Sequence, residues 1–382
     1  MSGIYIHIPF CRRKCHYCNF FSLASVKYKE RFLAALKEEI FLRKKYLNGK
    51  PIESIYFGGG TPSILQIPEI EGILEELRKY FILAENREIT LEANPDDLAP
   101  DILREYKTIG INRLSIGVQS FFDDDLEYLN RIHSGQRAEE VVQQAKEAGF
   151  SNISIDLIYG IPTLTAEKWQ KNLEKAFSME VPHISAYSLT VEPKTALDIL
   201  IRKKKLPGPG EELILEHFRI LLRMMKVQEF AHYEISNFCK NGFYSRHNSM
   251  YWNGTPYLGL GPSAHSFNGS SRQWNISNLV QYIDQINRNE PFFESEELTP
   301  IQQYNEYVMV SLRTMWGCDL NTIGERFGEE AAAHFSRLSA RYITSGELVE
   351  KTGIYYLTDE GKLFADGIAA DLFLEPQKSP EW

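Results

Sequence analysis

The stretch Tyr5-Ile6-His7-Ile8-Pro9-Phe10-Cys11-Arg12-Arg13-Lys14-Cys15-His16-Tyr17-Cys18-Asn19-Phe20 carries three of the chain's five cysteines within eight residues. The alternating run from Ile4 to Ile8 reads as a β-strand, so the sulfur donors fall where a strand ends. Thiolates are soft ligands that suit zinc or iron–sulfur clusters. A closed zinc site wants four protein ligands, and with no second cysteine pair only His7, His16 or His247 could complete one. A cubane held by three cysteines instead leaves one iron without a protein ligand, an open position where a small molecule can bind. The spacing of the trio fits the cubane better. Cys239 and Cys318, far along the chain, read as ordinary buried thiols.

Working outward, apolar or β-branched runs at 4–9, 54–59, 88–94, 113–119, 152–159 and 183–191 alternate with segments of helical periodicity at 29–46, 68–80, 99–108, 137–148 and 166–178. Such alternation predicts an α/β fold with a parallel sheet, either open or curled towards a barrel. In barrels the reactive groups gather at the C-terminal ends of the strands. Gly58-Gly59-Gly60-Thr61-Pro62, Glu92, Gln119 and Asp156 all fall there. Glycines let a backbone approach a ligand closely, although a glycine turn is also common punctuation. Glu92, Gln119 and Asp156 read either as satisfied polar residues beside a core or as partners for a zwitterion and a ribose. Arg131 reads equally as a solvated helix residue or as a carboxylate partner.

The 382 residues exceed one typical domain, and 43% hydrophobic with 24% charged residues is ordinary for a soluble globular chain. Three units are expected: 1–200 as the strand–helix domain, 201–295 as a connecting region, and 296–382 as a smaller one. The last unit, three helices, a hairpin and a final helix, suggests a winged-helix-like α+β domain. Such domains can bind DNA, but residues 295–382 hold fifteen acidic against seven basic side chains, the wrong sign for phosphates. With a net charge of −9 for the chain, no nucleic-acid partner is expected, and the C-terminal unit reads as a lid or docking domain. No apolar run spans a bilayer, no secretory signal opens the chain, and five cysteines without a disulfide pattern suit the reducing cytoplasm.

Cys-x-x-x-Cys-x-x-Cys after a first strand resembles the radical S-adenosylmethionine (SAM) superfamily, in which SAM chelates the open iron of a [4Fe-4S] cluster. That resemblance implies a partial (β/α)6 TIM-like barrel with Cys11, Cys15 and Cys18 as the metal ligands. Gly58 to Pro62 looks like the motif that holds the SAM amino group. By the same resemblance Tyr5, Gly59 and Glu92 contact SAM, and Gly60, Thr61, Gln119, Arg131 and Asp156 complete the pocket.

The resemblance continues through the C-terminal unit to the oxygen-independent coproporphyrinogen III dehydrogenases and their relatives. Those dehydrogenases are known for a further cysteine two residues on, where this chain has Phe20, and for an extension ahead of the first strand, where it has four residues before Tyr5. His247-Asn248-Ser249-Met250-Tyr251-Trp252 matches the His-Asn-x-x-Tyr-Trp signature of the HemW-type heme chaperones. On residues alone this stretch reads as a buried aromatic cluster around a hydrogen-bonded histidine. Imidazole is also a common axial ligand to heme iron, and Tyr251 and Trp252 offer flat apolar faces. The resemblance assigns His247, Tyr251 and Trp252 to heme.

The expectation is thus a cytoplasmic heme chaperone that holds one [4Fe-4S] cluster and SAM, binds heme and passes it to a hemoprotein acceptor. No residue is assigned a catalytic role, and the cluster and SAM would govern assembly or heme release. The alternative is an enzyme that decarboxylates coproporphyrinogen III. A respiratory acceptor would bring peripheral membrane contact. The sequence leaves open the acceptor, covalent heme attachment and the oligomeric state.

Overall fold

Leu114, Ile116 and Val118 point into the main apolar core, while Arg113, Ser115, Gly117 and Gln119 between them line a cavity. This period-two alternation, repeated along neighbouring strands, separates an apolar outer layer from a polar interior. The computed structural model describes residues 1–240 and 242–375. Six parallel strands, β1 (Ser2–Ile8), β2 (Ile52–Gly59), β3 (Leu83–Ala93), β4 (Arg113–Gln119), β5 (Asn152–Tyr159) and β6 (His183–Ser188), pair in sequence order. Helices α1 (Lys29–Leu42), α2 (Ile67–Tyr80), α3 (Pro100–Ile109), α4 (Asp123–Tyr128), α5 (Gly135–Glu147) and α6 (Ala166–Ser178) occupy the crossovers. This is the six-stranded α/β partial barrel that the alternation and the cysteine motif pointed to.

Two differences have local causes. The helix expected over 29–46 stops at Leu42, because Arg43 turns inward to Gln273 at 2.6 Å and stacks on Tyr46 and Phe293. The short α4, rich in aspartate, had no apolar periodicity by which to be read.

Residues beyond 193 extend the sheet on both sides. After α7 (Ala196–Arg202) and α8 (Glu211–Val227) come β7 (Ala231–Glu234) and β8 (Asn237–Cys239); β8 pairs antiparallel with β6, and β7 antiparallel with β8 at the edge. Helix α9 (Arg246–Trp252) then crosses to the other edge, where β9 (Tyr257–Leu260) runs parallel to β1. Strands β10 (His265–Phe267) and β11 (Ser271–Asn275), helix α10 (Leu279–Asn287) and strand β12 (Phe293–Glu297) complete a sheet of twelve strands. The segment expected as a connecting region therefore builds both flanks of the barrel.

The C-terminal unit has its own core around Tyr304, Val308, Leu312, Phe335, Tyr355 and Ile368. It comprises α11 (Pro300–Leu312), β13 (Cys318–Asp319), α12 (Leu320–Phe327), α13 (Glu329–Ser345), β14 (Leu348–Lys351), β15 (Ile354–Leu357) and α14 (Ala365–Asp371). Three helices followed by a hairpin give the winged-helix-like order; the stretch 376–382 of the expected unit lies outside the described residues. The unit is joined to the barrel domain by Ile235 N donating to Arg313 O at 3.1 Å and Met315 N to Tyr233 O at 3.0 Å. Among the described residues no helix is long and apolar enough to cross a membrane.

Buried Glu39 of α1 holds the β9 flank to the barrel. Its carboxylate accepts from Gly261 N at 2.7 Å, Asn275 Nδ2 at 2.7 Å and Tyr282 OH at 2.5 Å. Replacing it by alanine strands three desolvated donors, and we expect Glu39→Ala to lower stability by about 3–5 kcal/mol. A denaturant titration that places Glu39→Ala within about 1 kcal/mol of the parent would contradict this account of the flank.

Candidate functional site

The loop after β1 and the glycine turn after β2 are joined by backbone hydrogen bonds, Gly60 N to Ile8 O and Thr61 N to Phe10 O, both at 2.8 Å. A Cβ on Gly60 would stand 2.7 Å from Phe10 O and 2.8 Å from Ile8 O, so only glycine permits this approach. Cys11, Cys15 and Cys18 are carried on that loop as unpaired, half-buried thiols. All three line a cavity of about 400 Å³ at the C-terminal ends of the strands, together with Gly59, Gly60, Thr61, Glu92, Gln119, Arg131 and Asp156. Residues far apart in sequence thus share one wall.

Among the described residues no three His, Cys, Asp or Glu side chains close around a single metal ion. His7 is committed to Phe21 O at 2.8 Å and His16 to Tyr128 O at 2.9 Å, which engages two of the three histidines that could complete a zinc site. A cubane, whose irons occupy separate corners, asks its thiolates to stand further apart than zinc does, and three unpaired thiols on one cavity wall are the soft donor set it takes.

Arg131 lies in the loop after α4 with its guanidinium turned inward rather than solvated on a helix. It donates to Asn94 Oδ1 at 2.7 Å, to Gly117 O at 2.8 Å and to Cys15 Sγ at 3.4 Å. Asn94 in turn donates to Thr61 Oγ1 at 3.3 Å, and Thr61 to Cys11 Sγ at 3.5 Å. One hydrogen-bonded chain thereby runs beneath two of the thiols. Gln119 ends β4 at φ 66°, a left-handed conformation uncommon outside glycine and a local strain of the kind found at ligand sites.

Glu92 accepts from Tyr56 OH at 2.8 Å and from Gly59 N at 3.2 Å. Burial pushes its carboxyl up to about 7, against the lowering effect of the Tyr56 hydroxyl, and the neighbouring Asp156 raises it further. Burial also raises Asp156, which is held by Ser115 Oγ at 3.2 Å. The counter-charge is Arg113, only 1% exposed, whose Nε and Nη1 have no hydrogen-bond partner among the described residues. It lowers both carboxyls without lying within ion-pair distance of either.

One residue expected at SAM lies outside the cavity, and the three assigned to heme lie apart from it. Tyr5 does not line the cavity: it lies behind Gly58, with its hydroxyl 3.2 Å from His7 Nδ1. His247 is 1% exposed at the opposite end of the barrel, where the strands begin. Its Nδ1 is 2.8 Å from Ser54 Oγ and its Nε2 2.9 Å from Tyr251 OH, so in this conformation neither nitrogen is free for iron. Tyr251 packs edge-on against Tyr257, and Arg313 of the C-terminal unit lies 5.8 Å over the Trp252 ring. Each ring is thus engaged on one side, and both side chains are half-buried. Instead Asn248, the second residue of the motif, lines the cavity.

Cys239 and Cys318 are fully buried, and neither lines the cavity. Tyr56, Asn94, Arg113, Ser115 and Asn248 are cavity residues that motif reading missed. The available signal was the run of polar residues at every second position of β2 to β4, which marks a polar barrel interior.

Residues 5–176 match the model of the radical SAM superfamily, and residues 298–364 that of the HemN C-terminal domain. The heme chaperone HemW of Bacillus subtilis is 34% identical over 372 residues, covering 96% of this chain and 98% of that one. The heme chaperone HemW of Mycobacterium tuberculosis is 32% identical over 375 residues, covering 97% and 94%. Among solved structures, coproporphyrinogen III oxidase (HemN) from Escherichia coli superposes with a TM-score of 0.85 at 24% identity, over 97% of this chain and 90% of that one. At that identity the likeness speaks for the fold.

Because Glu92 titrates higher in the folded chain (about 7) than its ordinary 4.5, folding favours its protonated form. Its contribution is therefore fully present below 4.5 and is lost as pH rises through about 7. Glu92→Gln should flatten that decline by up to about 3 kcal/mol. Urea titrations on either side of that window, at about pH 4 and about pH 8, measure it; an unchanged difference between the two would remove Glu92 as its source.

Proposed function

The chain belongs to the HemW family within the radical SAM superfamily, and from that premise we propose that it is a heme chaperone: it binds heme and hands it to a hemoprotein acceptor, on a barrel that holds one [4Fe-4S] cluster and SAM. One observation carries the reading. Three free thiols, a glycine turn and the pair Glu92 and Arg131 share one cavity, in a chain matched nearly end to end by proteins named heme chaperones. When bound, a cluster with one unliganded iron supplies an open metal position for SAM.

The protein's own residues divide the work. Cys11, Cys15 and Cys18 hold the cluster, with Thr61 and Arg131 donating to two of the sulfurs. Donors to thiolate sulfur stabilise its negative charge and exclude water from the first layer of the site. Arg131, fixed by Asn94 and Gly117, presents a cation to the SAM carboxylate, and its planar fork suits that group. Glu92 and Asp156 accept from amino and hydroxyl groups, Gly59 and Gly60 bring backbone close, and Gln119 closes the far wall. A cavity of about 400 Å³ accommodates a nucleoside-sized ligand, not SAM and an enclosed tetrapyrrole together. Heme is therefore cargo for another surface, and His247 with Tyr251 and Trp252 reaches it once α9 leaves its seat.

The competing reading, decarboxylation of coproporphyrinogen III, rests on the likeness to an oxidase structure, which speaks for the fold alone. Relatives named heme chaperones, at 31–34% identity, favour the chaperone.

Anaerobic reconstitution tests the assignment. Cys15→Ala should lose the brown cluster absorption while retaining heme binding, and His247→Ala should retain the cluster and bind heme at least about tenfold more weakly. Heme transfer to candidate apo-proteins should occur with the parent chain, and coproporphyrinogen III incubated with it, SAM and reductant should keep its mass. Loss of carbon dioxide from that substrate would reverse the choice between the two readings.

A further inference from the structure

His247 itself does not line the SAM cavity, yet stacked rings connect it to the cavity wall. The His247 ring stacks on Tyr56 at 5.1 Å and 28°, and on Tyr5 at 6.2 Å and 29°. Tyr5 and Tyr56 stack on each other at 6.1 Å. The Tyr56 hydroxyl then reaches through to Glu92 at 2.8 Å. Asn248, the next residue after His247, is itself part of the cavity wall.

We propose that heme ligation by His247 and occupancy of the SAM cavity oppose each other, because α9 must leave the barrel floor to expose His247, while α9 in place supplies Asn248 to the cavity wall and a stacking ring to Tyr56, the partner of Glu92. The proposal rests on His247 being the heme ligand, as read above, and adds the regulation of that site.

A neutral imidazole has one N–H and one lone pair, and iron needs the lone pair. Burial, aided by the nearby charge of Arg113, lowers His247 to about 3, so no proton has to leave before ligation. What must break is the pair of hydrogen bonds to Ser54 and Tyr251, because the ring is 1% exposed. Once α9 departs, Tyr56 loses one of the two rings it stacks on and keeps Tyr5 alone, and Asn248 leaves the wall. A ligand bound against Glu92 and Asn248 conversely holds α9 down.

Helix α9 is built to be released. It lies between Gly242 at φ 75° and Gly254 at φ 63°, and a side chain at Gly254 would meet nothing within 4 Å. Two polar atoms of the seated motif, Ser249 Oγ and Trp252 Nε1, are buried without partners and gain them on release. Against this, Arg246 N and His247 N donate to Glu88 Oε1 at 3.0 and 3.4 Å, and Arg313 covers Trp252. Arg246 Nη1 also donates to Asn86 O at 2.6 Å, so α9 is both held and strained, and on this proposal whatever binds the seated or the released state shifts the population between them.

Coupling of this kind is reciprocal: SAM must weaken heme by the same factor as heme weakens SAM, here about 10–100-fold. The test titrates the cluster-loaded protein with hemin, followed by its Soret band, without SAM and at saturating SAM, and then SAM by calorimetry with and without heme, the cluster kept oxidised. Both affinities should fall by the same factor. Ser54→Ala and Tyr251→Phe each remove one bond of the seated state, and each should tighten heme by about threefold or more while weakening SAM. If heme affinity ignores SAM in the parent although His247→Ala abolishes heme binding, the coupling is wrong and the heme ligand stands. If His247→Ala binds heme as the parent does, the ligand assignment and the coupling fall together. Weaker heme binding in both Ser54→Ala and Tyr251→Phe would likewise overturn the seated-versus-released scheme.

Discussion

Two backbone hydrogen bonds, from Gly60 N to Ile8 O and from Thr61 N to Phe10 O, splice the glycine turn onto the thiol-bearing loop. Any side chain at Gly60 would collide with the carbonyls that accept them, which fixes the residue type. Because β1 and β2 are adjacent and parallel, their C-terminal ends are held side by side, and the splice converts that proximity into a single rim. Thr61 and Arg131 can then address two of the sulfurs from opposite directions. The rest of the thiol-bearing loop is tied by Cys11 N donating to Leu23 O at 3.0 Å, His16 N to Leu129 O at 3.1 Å and Asn130 Nδ2 to Lys14 O at 2.9 Å, which offset the entropy of ordering it.

The interior below the rim is governed by charge rather than apolar packing. Arg113 is a buried cation whose field spans Glu92 and Asp156 above and His183 and His247 below. It favours the ionised form of the two acids and the neutral form of both histidines. His183 and His247 share one local design: each has Nδ1 on a strand serine and Nε2 on a tyrosine, Ser154 with Tyr233 and Ser54 with Tyr251. Hydroxyl partners satisfy a neutral imidazole without a carboxylate, which suits a floor that already carries a positive charge.

Much of this was legible in the sequence where local rules act alone. The six parallel strands, the long helices and the C-terminal order follow from the strand and helix periodicities, and the cysteine spacing led to the rim. Arg131 illustrates the limit: its neighbours Asn130 and Ile132 give no hint of its role, and only the fold brings Asn94 and Gly117 to it. The segment 201–295 was opaque for another reason. Strands as short as β8 and β10 cannot carry a period, and their pairing with β6 and β9 is a tertiary outcome.

The motif His247 to Trp252 shows why residue types underdetermine a role. Histidine, tyrosine and tryptophan serve equally as heme contacts and as a core cluster, and the seated geometry is that of the cluster, with both imidazole nitrogens engaged. A residue so engaged can still act as a ligand, provided the engagement is weak enough to exchange. On the proposal above, heme ligation has to outweigh two neutral hydrogen bonds worth about 0.5–1.5 kcal/mol each. Exchange is then governed less by His247 than by what else α9 must surrender, its hold on Glu88 and the Arg313 cover from the C-terminal unit. That acidic unit thereby acquires a physical role, because its Arg313 covers Trp252 on the helix whose Asn248 lines the cavity.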